Sequence, residues 1–261
     1  MRRLAPAVLI AASPAVAAGD DYVQLPGGEF RSVLKYEDAA GRVRIAPFAL
    51  SVRPVSNGQF LAFVKAHPEW RRDQVPAVFA EARYLQHWSG PQSLGPAAAP
   101  AQPVVNVSWF AASAYCEAQG ARLPTWHEWE YAAAADATRR DARADPAWRD
   151  SILAWYSKPS NAPLAKVGQQ AANAYGVQDL HGLVWEWVDA HSAMLVSGDS
   201  RDQGDPDKQK FCGAGALTMD DRENYAVMMR IAMLSSLEAA NTTRNVGFRC
   251  AKPLPPPGAR P

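Results

Sequence analysis

The chain has no surplus of either charge: 27 lysines and arginines face 26 acids, for a formal net charge of +1. No basic block breaks that balance, so the electrostatic footprint of a nucleic-acid or anionic-membrane binder is missing. No apolar run is long enough to span a bilayer permanently. No internal repeat is present, and His67, His87 and His127 lack metal-ligand spacing. Cysteine is scarce, with three residues, Cys116, Cys212 and Cys250, in 261. In an oxidising compartment two of them pair and one thiol is left over, but spacing alone does not choose the pair.

What is there suffices for a folded domain. An apolar content of 48% can bury a sizeable core as one domain or two small ones. The N-terminus has the layout of a secretory signal peptide: positive Met1-Arg2-Arg3, apolar Leu4 to Ala12, Pro14, then small Ala15-Val16-Ala17. Residues 1–18 are therefore read as a signal, which places the mature protein in the periplasm or outside the cell. Residues 20–252 are read as one domain and 253–261 as a disordered proline-rich tail.

Local patterns give a coarse map. Tyr22 to Phe30 reads as a strand, a glycine turn and a return strand, and Val43 to Val52 as another strand ending at Pro54. Phe60, Leu61, Phe63 and Val64 fall on one helical face over Asn57 to Ala66, with Ser56 or Asn57 as N-cap. Ser89 to Pro103 is a Pro/Gly/Ala-rich loop. A second helix spans Trp109 to Gln119 between Ser108 and Gly120. A third starts at the capping box Thr125-x-x-Glu128 and continues through Ala135. Beyond it the pattern reads as loops and short strands. The fold class expected is α+β with low regular content.

Three separated motifs couple charge to aromatic or glycine-bearing turns. They are Arg122-Leu123-Pro124-Thr125 leading to Glu128-Trp129-Glu130-Tyr131, then Gly182-Leu183-Val184-Trp185-Glu186-Trp187, and Asn245-Val246-Gly247-Phe248-Arg249-Cys250. With Leu25-Pro26-Gly27-Gly28, Pro103-Val104-Val105-x-Val107-Ser108-Trp109 and Ala114-Tyr115-Cys116 in the same order, the chain resembles the formylglycine-generating-enzyme family, the sulfatase-modifying-factor domain. The resemblance implies a single compact domain, distantly like C-type lectins, and a Cys116–Cys250 disulfide. It also implies a calcium site, with Asp179 and Glu186 giving carboxylate oxygens and Gly182 and Val184 backbone carbonyls, a donor set that suits Ca²⁺. The competing reading of that segment is a hairpin in which Trp185 and Trp187 pack one face and Glu186 meets an arginine. Arg122, Glu128, Glu130 and Arg249 read as paired buried charges rather than catalytic groups.

One departure from the family matters most. Its oxidases hold Cu(I) between two thiolates five residues apart, a soft linear site that needs both sulfurs. Counted back from Cys250, those positions are Asp221 and Ala226, and neither side chain replaces a thiolate. Cys212 with Met228 and Met229 offers a different sulfur set for copper, against the plainer reading that the methionines fill core gaps. The expected function is an accessory or maturation factor for a protein or peptide partner in the cell envelope, such as a copper redox protein. Relatives beside copper nitrite reductases and in pyoverdine maturation have that character. The alternatives are a divergent oxidative peptide-modifying enzyme and a glycan- or peptide-binding module, the last on fold analogy alone.

Overall fold

The computed structural model describes residues 21–33, 42–157, 162–189 and 225–254. The proposed signal segment, Cys212 and Asp221 lie outside the described residues, as does the tail from 255 onward.

Helices and strands are mixed, and the strands are short. β1 (Tyr22–Leu25), β2 (Gly28–Arg31), β3 (Arg42–Ile45) and β4 (Phe48–Ser51) come first. β1 and β2 do not form the expected hairpin. β1 pairs antiparallel with β4, and β2 with β3. Gly27 explains the switch. It sits at φ +65°, and a Cβ there would run into the Ile45 carbonyl oxygen, so the chain turns between sheets where only glycine fits. The long strand expected over 43–52 is likewise two strands, divided at Ala46-Pro47, because proline supplies no N–H to a ladder.

The first three helices follow their caps. α1 (Asn57–Ala66) has Ser56 as N-cap in a full capping box with Gln59. α2 (Trp109–Ala118) is capped by Ser108, and Gly120 beyond it takes φ +61°. α3 (Trp126–Ala133) is capped by Thr125 with Glu128 reaching back. Two further helices correct the expectation of loops in the second half. α4 (Pro146–Tyr156) begins with Asp145 as N-cap and Pro146 in the first turn, a start signal legible in the sequence. α5 (Tyr225–Ser235) carries the methionine run.

β5 (Trp185–Trp187) and β6 (Val246–Phe248) pair in parallel, and β7 (Ala251–Pro253) completes the β1–β4–β7 sheet. Pro253 thus belongs to the sheet rather than to the tail. The β5–β6 register sets Glu186 beside Gly247, where a Cβ would lie 2.6 Å from the Val104 carbonyl oxygen. Between α1, α2 and β6 the core is aromatic: Phe60, Tyr115 and Phe248 have ring centroids 5.3–5.9 Å apart. Cys116 and Cys250 form a disulfide across 134 residues of sequence. It ties α2 to the chain between β6 and β7, and by the chain-entropy argument a loop of that length gives about 5 kcal/mol.

Candidate functional site

The β5–β6 pair anchors the site. Glu186 and Arg249 are both 0% exposed and form a two-pronged ion pair, with Arg249 Nε and Nη2 each 2.8 Å from a Glu186 oxygen. The remaining Arg249 donors reach the carbonyls of Ser51 and Val52 at 3.1 Å and of Gln178 at 2.9 Å. All five guanidinium N–H groups are therefore used. Trp129 Nε1 donates a third bond to Glu186, at 2.7 Å. Glu186 thus meets an arginine, and its strand lies in a parallel pair rather than a hairpin.

Those bonds bear directly on the calcium expectation. A guanidinium on both Glu186 oxygens puts positive charge where a cation would sit. Asp179, at φ +60°, spends its carboxylate on the backbone N–H groups of Gly168 and Gln170. Val184 is fully buried, and Gly182 sits at φ +91° against Gln170. As folded, the Asp179 and Glu186 carboxylates both accept hydrogen bonds from protein donors.

The other charged motif residues are also committed to structure. Arg122 grips Glu128 through two bonds of 2.7 and 2.6 Å. Glu130 accepts from Ser32, the Val33 backbone N–H and Trp126 Nε1. Burial still pushes its carboxyl above the usual range, against those bonds and the nearby Arg143. Arg230 of α5 is 2% exposed. Its guanidinium lies 3.4 Å from the Trp129 ring centroid and donates to the Glu186 carbonyl at 2.6 Å. Burial lowers its pKa to about 10. That stacking ties α5 to α3 and β5 from beneath.

On the outer side of this frame lies a groove of about 450 Å³. One wall is an aromatic platform. The Tyr156 and Trp185 rings stack at 4.9 Å with 14° between planes, and Trp155 lies 5.0 and 5.5 Å from them. Met229 and Met233 of α5, Leu164, Leu183 and Asn245 also line the groove. Met229 is 41% exposed. Burial pushes the Tyr156 hydroxyl up to about 12, so it stays a neutral donor. The platform was not foreseen because α4, which carries Trp155 and Tyr156, was read as loop; the Asp145-Pro146 start was the available signal.

The residues considered for copper are not assembled within the described structure. Ala226 and Met228 belong to α5, but Cys212 and Asp221 lie outside the described residues.

A mixed helix-and-strand domain of low regular content, pinned by a buried Arg–Glu pair and a long-range disulfide, defines the class. The description "Sulfatase-modifying factor enzyme 1-like domain" matches residues 9–254, and the chain belongs to that family. The match begins inside the segment read as a signal. The chain is 30% identical to the formylglycine-generating enzyme of Streptomyces coelicolor, over 95% of each chain. It is 29% identical to a mouse relative named inactive C-alpha-formylglycine-generating enzyme 2, over 88% of this chain and 84% of that one. Among solved structures, PvdO from Pseudomonas aeruginosa aligns at 19% identity and a TM-score of 0.46, over 89% and 94% of the two chains.

Proposed function

We propose that this chain is a family member without copper formylglycine oxidase activity, and that it serves as an accessory or maturation factor in the cell envelope. Its aromatic–methionine groove takes an apolar segment of a protein or peptide partner, such as a periplasmic copper redox protein. The observation that carries this reading is the cysteine inventory. Cys116 and Cys250 are bridged, Asp221 and Ala226 stand at the family's thiol positions, and Cys212 is the one thiol left. A linear dithiolate needs two.

The groove's chemistry supports recognition. Flat indole and phenol rings stack on a peptide at little entropic cost, and unbranched methionines repack around varied side chains. Asn245 is the one amide side chain among the described lining residues, which disfavours a glycan, whose many hydroxyls need partners. A relative named as inactive supports loss of the oxidase. Coverage of nearly the whole Streptomyces enzyme favours the second reading, a divergent oxidative enzyme working on a peptide.

The deciding assay incubates the full chain with a Cys-x-Pro-x-Arg peptide, copper and oxygen, and follows peptide mass. The expected result is unmodified peptide. Formylglycine product in multiple turnovers would overturn the proposal.

A further inference from the structure

The hydrogen-bonding side chains that line the aromatic groove are of one kind. Trp155 and Trp185 are half-buried, and an indole N–H only donates. Neither Nε1 has an acceptor among the described residues, and neither is closed off from solvent. Tyr156 keeps its hydroxyl proton, with a pKa pushed up to about 12 by burial. Asn245 is half-buried, and its Oδ1 already accepts from the Thr243 hydroxyl at 2.9 Å. Its amide N–H groups find no acceptor among the described residues.

Acceptors are few by comparison. The Leu164 carbonyl is taken by Gln102 Nε2 at 2.6 Å, and the Asn245 carbonyl by the Trp185 backbone N–H at 2.8 Å. The Met229 and Met233 thioethers accept only weakly. No charged side chain occurs among the described lining residues, so an ionised group on a ligand would lose its water there without gaining a counter-charge. Charge and hydrogen bonding together ask for an uncharged segment that supplies carbonyls and few N–H groups.

An ordinary extended peptide fails that condition, because each residue brings an N–H, and a buried donor left without an acceptor costs its full desolvation. Proline brings none. In the polyproline II conformation its carbonyls make no internal hydrogen bonds and stand open to donors. Its ring is an apolar body that packs against indole and phenol faces, and its fixed φ leaves little backbone freedom to lose on binding. We infer that the groove recognises a proline-rich segment of the partner protein. The proline rings pack on Trp155, Tyr156 and Trp185, and the segment's carbonyls accept from the two indole N–H groups, a recurring way of reading polyproline II chains. The inference rests on the groove being the peptide site and narrows the class of peptide it takes.

Fluorescence anisotropy of the full chain tests it with two labelled, end-blocked peptides of equal length, an oligoproline and an alternating leucine–serine chain. The oligoproline is expected to bind about tenfold or more tightly. Trp155→Phe/Trp185→Phe keeps both rings and removes both N–H groups. It is expected to weaken the oligoproline about tenfold or more and to leave the leucine–serine peptide unchanged. Trp155→Phe alone, the milder change if the double variant melts early, is expected to weaken the oligoproline about fivefold. Equal or tighter binding of the leucine–serine peptide, or undiminished oligoproline binding in both variants, would overturn the inference and leave the groove an apolar-peptide site. Failure of both peptides to bind would overturn it together with the groove's part in the proposed function. Oligoproline binding that strengthens when residues 255–261 are removed would assign the groove to the chain's own Pro255-Pro256-Pro257 and overturn the partner assignment.

Discussion

Replacing Glu186 with glutamine separates the two readings of the tryptophan motif. In the structure the Glu186 carboxylate neutralises Arg249 in a site with no exposure and also accepts from Trp129. Glutamine keeps the shape and one acceptor oxygen, but turns an NH₂ group toward a guanidinium that water cannot reach. Breaking a buried pair from one side costs about 3–5 kcal/mol, because the partner charge stays buried and uncompensated. In a domain of this size each kcal/mol moves the melting temperature by about 2–4 °C, so Glu186→Gln is expected to melt about 6–20 °C lower. Arg249→Met is expected to be worse, since it also strands the carbonyls of Ser51, Val52 and Gln178. The assay is thermal unfolding of both proteins with excess calcium and with EGTA. The expected gap between them is the same in either buffer. A wild-type melting temperature that falls to the mutant's on adding EGTA would show that the carboxylate serves an ion, and would refute the ion-pair argument.

Three other outcomes follow from the same coordinates. Reduction of the Cys116–Cys250 disulfide, or the Cys116→Ser/Cys250→Ser pair, is expected to cost about 5 kcal/mol from the length of loop released, read by denaturant unfolding with and without reductant. His181 Nε2 donates to the Ala133 carbonyl and its ring packs edge-on against Trp129 and Trp148, and burial lowers its pKa to about 4 from 6.5. The unfolded chain takes up that proton from pH 6.5 downward while the native state resists until about pH 4. Stability is thus complete above pH 6.5 and falls on acidification, by on the order of 3 kcal/mol; His181→Gln is expected to flatten that slope relative to wild type, and parallel profiles would sink the assignment. In the groove, Met229→Lys is expected to leave the melting temperature nearly unchanged while weakening an apolar partner peptide by about tenfold or more in fluorescence anisotropy.

Much was legible wherever the signal was local. Ser56, Ser108 and Thr125 marked three helix starts because an N-cap satisfies N–H groups within its own first turn. The family motifs ordered the chain, and the copper argument needed only the identities of residues 221 and 226. Where partners lie far apart in sequence, reading failed. Strands β1 and β2 adjoin through a glycine turn yet pair with different strands, β4 and β3, each contributed from farther along the chain. Trp155, Tyr156 and Trp185 come together because α4 docks on β5, and no spacing announces that.

The sequence by itself determined the family and the capped helices, because each is a matter of residue identity or of contacts within one turn. Only the tertiary structure decided what the motif charges do. Glu186 lies 63 residues from Arg249 and 57 from Trp129, and a carboxylate that reads equally as metal ligand or ion-pair partner is assigned by whatever cation the fold brings to it. Here burial at 0% exposure brings a guanidinium with all five donors used, and desolvation makes that pairing obligatory.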